Sequence, residues 1–277
     1  MARIELHCHT TASDGALAPA ALVAQAHAAG ITTLAITDHD TVAGLPEARA
    51  AAAPLGITLL PGCEFGCELP DGEVHLLAYL FDETDAALTA TLEALRTARR
   101  ARGRAMVDRL NALGVPVAWD RVQAIAGRGS VGRPHVAQAL IEGGWVADTD
   151  DAFARYIGWG GPAYVPRARI SPPEVIRLVA GAGGVVSLAH PAHIPALEAY
   201  LPTLVPHGLA GLETYYGEYP AETVARLAAL AARFDLIPTG GSDYHGRPIK
   251  DHAALGARTL PPDTVDRLRA RRVISNQ

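Results

Sequence analysis

A chain of 277 residues with 49% hydrophobic and 19% charged residues has material for a substantial core, which argues against global disorder. Its formal net charge of -5 gives no electrostatic basis for gripping long duplex nucleic acid, but it leaves open a small anionic ligand held by local arginines. Cys8, Cys63 and Cys67 make no disulfide framework, the start lacks a leader pattern, and no run of about 20 apolar residues suggests a membrane span. The expected compartment is therefore the reducing cytoplasm.

In chain order, residues 3–9 read as a strand and 18–29 as an amphipathic helix closed by Gly30. Residues 31–37 form a second strand, followed by a helix over 45–53. Two more strands are expected at 57–62 and 73–80. From residue 86 to about 164 the pattern turns mostly helical, with 86–113 long enough for a protruding helix. Strands at 184–189, 210–214 and 236–239 then alternate with helices near 173–180, 196–204 and 221–233. The alternation predicts βα units and a parallel sheet curled into a barrel, with 1–85 and 165–277 forming the barrel and 86–164 an inserted helical subdomain.

The chemistry sits at the predicted strand ends. His7 and His9 are two residues apart, so a strand's period of two puts both imidazoles on one face and turns Cys8 the other way. Asp14 follows in a loop able to fold back over the strand tip. The second strand ends in Thr37-Asp38-His39-Asp40, the third in Gly62-Cys63-Glu64, and the fourth carries His75. The fifth ends in His190-Pro191 and the last in Ser242-Asp243-Tyr244-His245. In a parallel barrel these ends open on one rim, where imidazoles and carboxylates together suit two or three divalent cations. His27, His207 and His252 read as helix-surface or loop residues, and His193 as either a supporting residue or a helix cap.

This series of motifs, running from residue 3 to about 256, resembles the polymerase-and-histidinol-phosphatase (PHP) family of metal-dependent phosphoesterases. The resemblance implies a distorted (β/α)7 barrel and a trinuclear site ligated by His7, His9, Asp14, His39, Glu64, His75, His190, Asp243 and His245. Glu64 would bridge two metals, expected to be manganese, with iron or zinc also compatible. Ser130-Val-Gly-Arg133-Pro134-His135 and Gly161-Pro-Ala-Tyr164-Val-Pro166 resemble the inserted subdomain of the TrpH-like branch. That branch includes a 3',5'-nucleotide bisphosphate phosphatase and an exoribonuclease that trims 5'-phosphorylated RNA.

The resemblance therefore implies hydrolysis of the 3'-side phosphoester of a 5'-phosphorylated nucleotide or short RNA, by metal-hydroxide attack on phosphorus. Arg133 and His135 are the expected clamp for the 5'-phosphate, since a guanidinium fork and a helix start both bind anions. His190, His193 or Asp243 would handle the leaving-group proton. Three rival readings fit less well. An amidohydrolase bridged by a carboxylated lysine does not fit, because the only lysine, Lys250, follows the last ligand motif. A histidinol-phosphate-type phosphomonoesterase is disfavoured by the inserted subdomain, and a non-catalytic metal-binding module by the complete ligand set.

Overall fold

The computed structural model describes residues 3–69, 72–127, 129–166, 170–217, 219–246 and 253–272. A seven-stranded sheet is ordered β1 to β7 as in the chain. Its strands are β1 (Ile4–Glu5), β2 (Thr33–Ile36), β3 (Thr58–Leu69), β4 (Gly72–Tyr79), β5 (Val185–Leu188), β6 (Gly211–Tyr216) and β7 (Ile237–Gly241). The two edges meet through a parallel bridge between Cys8 and Tyr244, where His9 N–H donates to the Tyr244 carbonyl at 2.9 Å and Asp243 N–H to that of His7 at 2.8 Å. Gly241 allows this approach: a Cβ there would lie 2.5 Å from both the Glu5 carboxylate and the His7 Cβ.

The helices that accompany the strands are α1 (Pro19–Ala28), α2 (Leu45–Ala52), α7 (Pro172–Gly181), α8 (Leu197–Leu204), α9 (Ala221–Arg233) and, after the last strand, α10 (Thr264–Ala270). Those of the middle segment are α3 (Ala86–Ala112), α4 (Trp119–Ala126), α5 (Arg133–Glu142) and α6 (Thr149–Ala152). Local chemistry sets several ends. Asp85 caps α3 by accepting the Leu88 N–H at 2.8 Å, and Ser171 with Glu174 forms a capping box at α7. Leu34, Ile36 and Cys8 pack with Leu22 and Val23 of α1 and Ala48 of α2, as a period of two requires. Ala35 instead joins Leu60, Leu77, Tyr79 and Ile237 in another buried cluster.

The structure departs from the expected all-parallel sheet: β4 runs antiparallel to both β3 and β5. Only two residues separate β3 from β4, enough for a hairpin and far too few for a crossover. The third strand accordingly does not end at Glu64. It pairs in parallel with β2 as far as Pro61, then continues beside β4 from Gly62 to Leu69. Reversal also explains how His75 reaches the rim: in an antiparallel strand the entering end, not the leaving end, lies there.

Helix α3 joins two cores. Leu88 and Leu92 pack among Phe65, Leu76 and other buried residues of the sheet's outer face. Val107 and Leu110, farther along, pack with Val122, Val136 and Leu140 of α4 and α5. Between the two lie Arg99 and Arg102, each only 9% exposed. The β3–β4 hairpin meets this junction, because Glu73 accepts from Arg102 at 3.2 Å and from Arg133 at 2.6 Å. No helix among the described residues is long and apolar enough to cross a membrane.

Candidate metal centre and cleft

Strand ends aim the polar side chains. Asp40, His190 and Asp243 take positive φ values of 50°, 28° and 51°, a region costly for residues other than glycine. Such sharp turns after β2, β5 and β7 bring groups from distant parts of the chain onto one spot. Gly15 lets the Asp14 loop lie against the His9 carbonyl, where a side chain would collide.

Three groups of side chains have donor atoms within 4.8 Å of one another: His9, Asp14, His39 and His245; His7, His9 and Asp243; and His39, Glu64 and His75. His190 joins them through Glu64, whose Oε1 lies 3.2 Å from its Nε2. That oxygen also meets His75 Nδ1 at 2.7 Å. The other oxygen of Glu64 faces His39 Nδ1 at 3.1 Å, His9 Nε2 at 3.2 Å and His7 Nε2 at 3.5 Å. Every residue of the expected ligand set therefore lies in this assembly.

The donor chemistry fits divalent metal. Nε2 of His7, both ring nitrogens of His9 and Nδ1 of His39 are buried without a hydrogen-bond partner, an arrangement a folded protein rarely leaves uncompensated. The carboxylates nearby stand close to these nitrogens without hydrogen-bond geometry. In the metal-free protein, burial pulls the His9 imidazole down, yet Asp243, Glu64 and Asp14 push it up to about 10. Burial alone would raise the Glu64 carboxyl, but the surrounding imidazoles of His39, His75 and His7 hold it well below the usual range. Asp14, likewise buried, is held low by His39 and His245. A buried anion cluster with lone pairs converging on shared points is what hard-to-borderline cations require.

Support comes from residues outside the expected ligand set. Glu213 on β6, fully buried, accepts from His7 Nδ1 at 2.8 Å and from the His190 backbone N–H at 2.6 Å. Donation from Nδ1 fixes the His7 tautomer and leaves Nε2 as the free lone pair. Tyr216, also on β6, donates to Asp243 at 2.9 Å. Asp38 accepts from the Thr10 backbone, the Thr10 hydroxyl and the Ser13 hydroxyl, tying down the loop before Asp14. Asp40 pairs with buried Arg99. The signal for Glu213 and Tyr216 was present as a Glu-x-x-Tyr at period three on a strand, but nothing in that spacing distinguishes inward acids from bulge residues. The ladder slips between Glu213 and Tyr215.

A cleft of about 480 Å³ opens beside the assembly. Asp14, Glu64, His75, His190, Asp243 and His245 line one part of it, and Arg99, Arg102, Arg133 and Phe153 another. The exposed His193, in a short turn after His190, lines it too. The Arg133 guanidinium lies 5.1 Å from the centre of the Phe153 ring, a contact that holds its plane. His135 is not among the lining residues. It is buried, its Nδ1 accepts the Gly132 N–H at 2.9 Å, and the Ser13 backbone also hydrogen-bonds the ring. Burial keeps this imidazole below its ordinary range, so it stands as a neutral tie between the start of α5 and the Asp14 loop. His27 and His207 are exposed away from the cluster, while His252 lies outside the described residues.

Residues 5–111 match the PHP domain. A 5'-3' exoribonuclease of Haemophilus influenzae is 36% identical over 88% of this chain and 90% of its own length. A 3',5'-nucleoside bisphosphate phosphatase of Chromobacterium violaceum is 33% identical over 95% of this chain and 94% of its own. A solved structure from Bifidobacterium adolescentis, whose assignment as a metal-dependent phosphoesterase is itself an inference, superposes with a TM-score of 0.89 at 38% identity, covering 98% of this chain and 97% of that one. Relatives spanning both the barrel and the helical segment, with the ligand motifs gathered into one assembly, establish that this chain belongs to the PHP family of phosphoester hydrolases.

Proposed function

We propose that the protein hydrolyses the phosphoester on the 3' side of 5'-phosphorylated nucleotides, converting a 3',5'-bisphosphate to a nucleoside 5'-monophosphate and phosphate and trimming short 5'-phosphorylated RNA. The observation that carries this reading is one cleft holding both chemistries, an acid-and-imidazole cluster and three arginines. Its volume of about 480 Å³ lies in the usual range for a small-molecule site. The two relatives with nucleotide or RNA substrates support the same substrate class.

His7, His9, Asp14, His39, Glu64, His75, His190, Asp243 and His245 are assigned as ligands of two to three divalent ions, with manganese expected and iron or zinc compatible. When bound, such ions supply activation of water and neutralisation of charge on the phosphoryl oxygens. The remaining roles fall to the chain's own groups. Arg133, braced by Glu73 and Phe153, holds the 5'-phosphate, with Arg99 and Arg102 beside it. His135 serves the clamp from behind by fixing the start of α5. Of the three candidates for the leaving-group proton, His190 is engaged with Glu64, and Asp243 with Tyr216. His193 lines the cleft with no carboxylate partner among the described residues, which favours it as the donor to the leaving 3'-oxygen. Residues 86–164 would then be the subdomain that completes the substrate site over the barrel formed by 1–85 and 165–277.

The test compares two substrates in two proteins. A charge-assisted bond contributes about 1.5–3 kcal/mol, so wild type should favour a 3',5'-bisphosphate over a 3'-monophosphate by roughly ten- to a hundredfold in kcat/KM. Arg133→Ala should impose a similar loss on the bisphosphate and little on the monophosphate. Equal losses on both, or equal wild-type activity on both, would refute the anchor.

A further inference from the structure

Helix α3 carries arginines on two neighbouring faces, and only one face serves the cleft. Arg99 and Arg102 line the active cleft, whereas Arg96 and Arg100, one turn apart and both exposed, line a second groove of about 470 Å³. Glu93 and Thr97 from the same helix, Gln123 from α4, and Gly127, Gly129 and Val131 complete its lining. Arg96 is held by Glu93 at 3.0 Å in an exposed pair, an arrangement of little net strength that a phosphate can displace. The Arg100 guanidinium makes no hydrogen bond or ion pair with any described residue. An uncommitted guanidinium, a second one a turn away, a hydroxyl and an amide form a donor set suited to a phosphodiester.

The groove also borders the loop that carries Asp14. Its Gly129 lies so close to the loop before Asp14 that a Cβ there would be 2.6 Å from the Thr11 carbonyl oxygen and 2.8 Å from that of Ser13. Ser130 N–H donates to the Ala12 carbonyl at 2.9 Å, which fixes that approach. The segment bearing Gly129 and Val131 on the groove continues directly into Arg133 in the cleft. Groove and cleft thus share α3, the 129–133 segment and the loop that carries Asp14.

We propose that this groove binds the phosphodiester backbone of single-stranded RNA beyond the scissile bond, making it the site that extends the enzyme from mononucleotides to oligonucleotides. The proposal rests on the reading of the cleft as a phosphoesterase site. A mononucleotide bisphosphate needs only the cleft. An oligonucleotide has further phosphates, and the groove supplies cations for them.

The experiment uses the full-length, metal-loaded enzyme and the Arg96→Ala/Arg100→Ala double variant, each assayed on a nucleoside 3',5'-bisphosphate and on a 5'-phosphorylated hexanucleotide RNA. Both side chains are exposed, so the variant should fold normally, and bisphosphate turnover serves as the check. The expected result is unchanged bisphosphate kinetics with an oligonucleotide KM raised about tenfold, since two surface cations that would each face a phosphate are gone. The log–log salt dependence of the oligonucleotide KM should become shallower by about 1.4, at roughly 0.7 per neutralised phosphate on a single strand. Equal effects on both substrates, or an unaffected oligonucleotide, would overturn the proposal. So would a wild-type enzyme that hydrolyses the bisphosphate but no RNA, an outcome that leaves the phosphoesterase reading standing. Failure of the wild type on both substrates would instead remove that reading, and the groove with it.

Discussion

Glu64→Gln is the substitution that most directly probes the proposed bridge. The change keeps the shape of the side chain and removes one negative charge from a buried point that five imidazoles approach, at 2.7 Å for His75, 3.1 Å for His39, 3.2 Å for His9 and His190, and 3.5 Å for His7. At an effective dielectric near 20, unit opposite charges about 4 Å apart interact by about 4 kcal/mol. A carboxylate shared by two cations loses more than one such interaction, and the amide's remaining oxygen recovers part of it. A net loss of about 4 kcal/mol corresponds to roughly a thousandfold in metal affinity or turnover. Elemental analysis after gel filtration should show fewer ions per chain than in wild type, and bisphosphate turnover should fall to match. A variant with wild-type metal content and near-normal turnover would show that Glu64 is a passive member of the cluster.

The other predictions concern the groups around the cluster. Glu213→Ala removes the acceptor that sets the His7 tautomer and should weaken metal binding about ten- to a hundredfold, measured by competition with a chelator; unchanged affinity would mean the ring is oriented by packing alone. Asp40→Ala leaves the buried Arg99 guanidinium without its carboxylate and should lower stability by about 3–5 kcal/mol in denaturant unfolding, with a loss under about 1 kcal/mol speaking against the pair. Metal loading should release protons, because His9, pushed up to about 10 in the metal-free protein, must bind metal as a neutral imidazole. The stability that protonated His9 lends the metal-free fold is complete below its unfolded value of about 6.5 and fades as pH rises towards 10, so metal affinity should run the opposite way and strengthen with pH. Calorimetry in buffers of different ionisation enthalpy would read the proton count, and zero protons released near neutral pH would contradict the assignment.

Much of the candidate site was legible because its side chains are tied to strand periodicity. His7-Cys8-His9 alternates as a strand must, and the structure places Cys8 with α1 and α2 while both histidines face the cluster. Boundaries of the barrel helices also followed local chemistry, as with Ser171 and Glu174 at the start of α7. What the sequence obscured was direction. Leu69-Pro70-Asp71-Gly72 carries turn residues suited to a hairpin, yet a strand–helix alternation on either side favoured a parallel reading. The supporting acids Glu213 and Glu5 could not be told from other strand carboxylates for a different reason. Glu5 accepts the backbone N–H groups of His7, Ser242 and Gly256, and no spacing rule foretells that a carboxylate on a core strand will find three donors from distant segments. The placement of the proposed clamp residues was legible only in part. Gly132-Arg133-Pro134-His135 does start a helix at the cleft, but His135 faces the protein, and Arg99 and Arg102 come from a helix whose arginine-rich run looks like ordinary solvated surface.

In the proposed reaction, water attacks phosphorus on the 3' side of a 5'-phosphorylated nucleotide. Hydrolysis of a nucleoside 3',5'-bisphosphate by the metal-loaded enzyme in 18O-enriched water tests it directly. The label should appear in released inorganic phosphate, with unlabelled nucleoside 5'-monophosphate as the other product and no reaction after chelation. Release of the 5'-phosphate, label in the nucleoside, or full turnover in chelator would rule this reaction out.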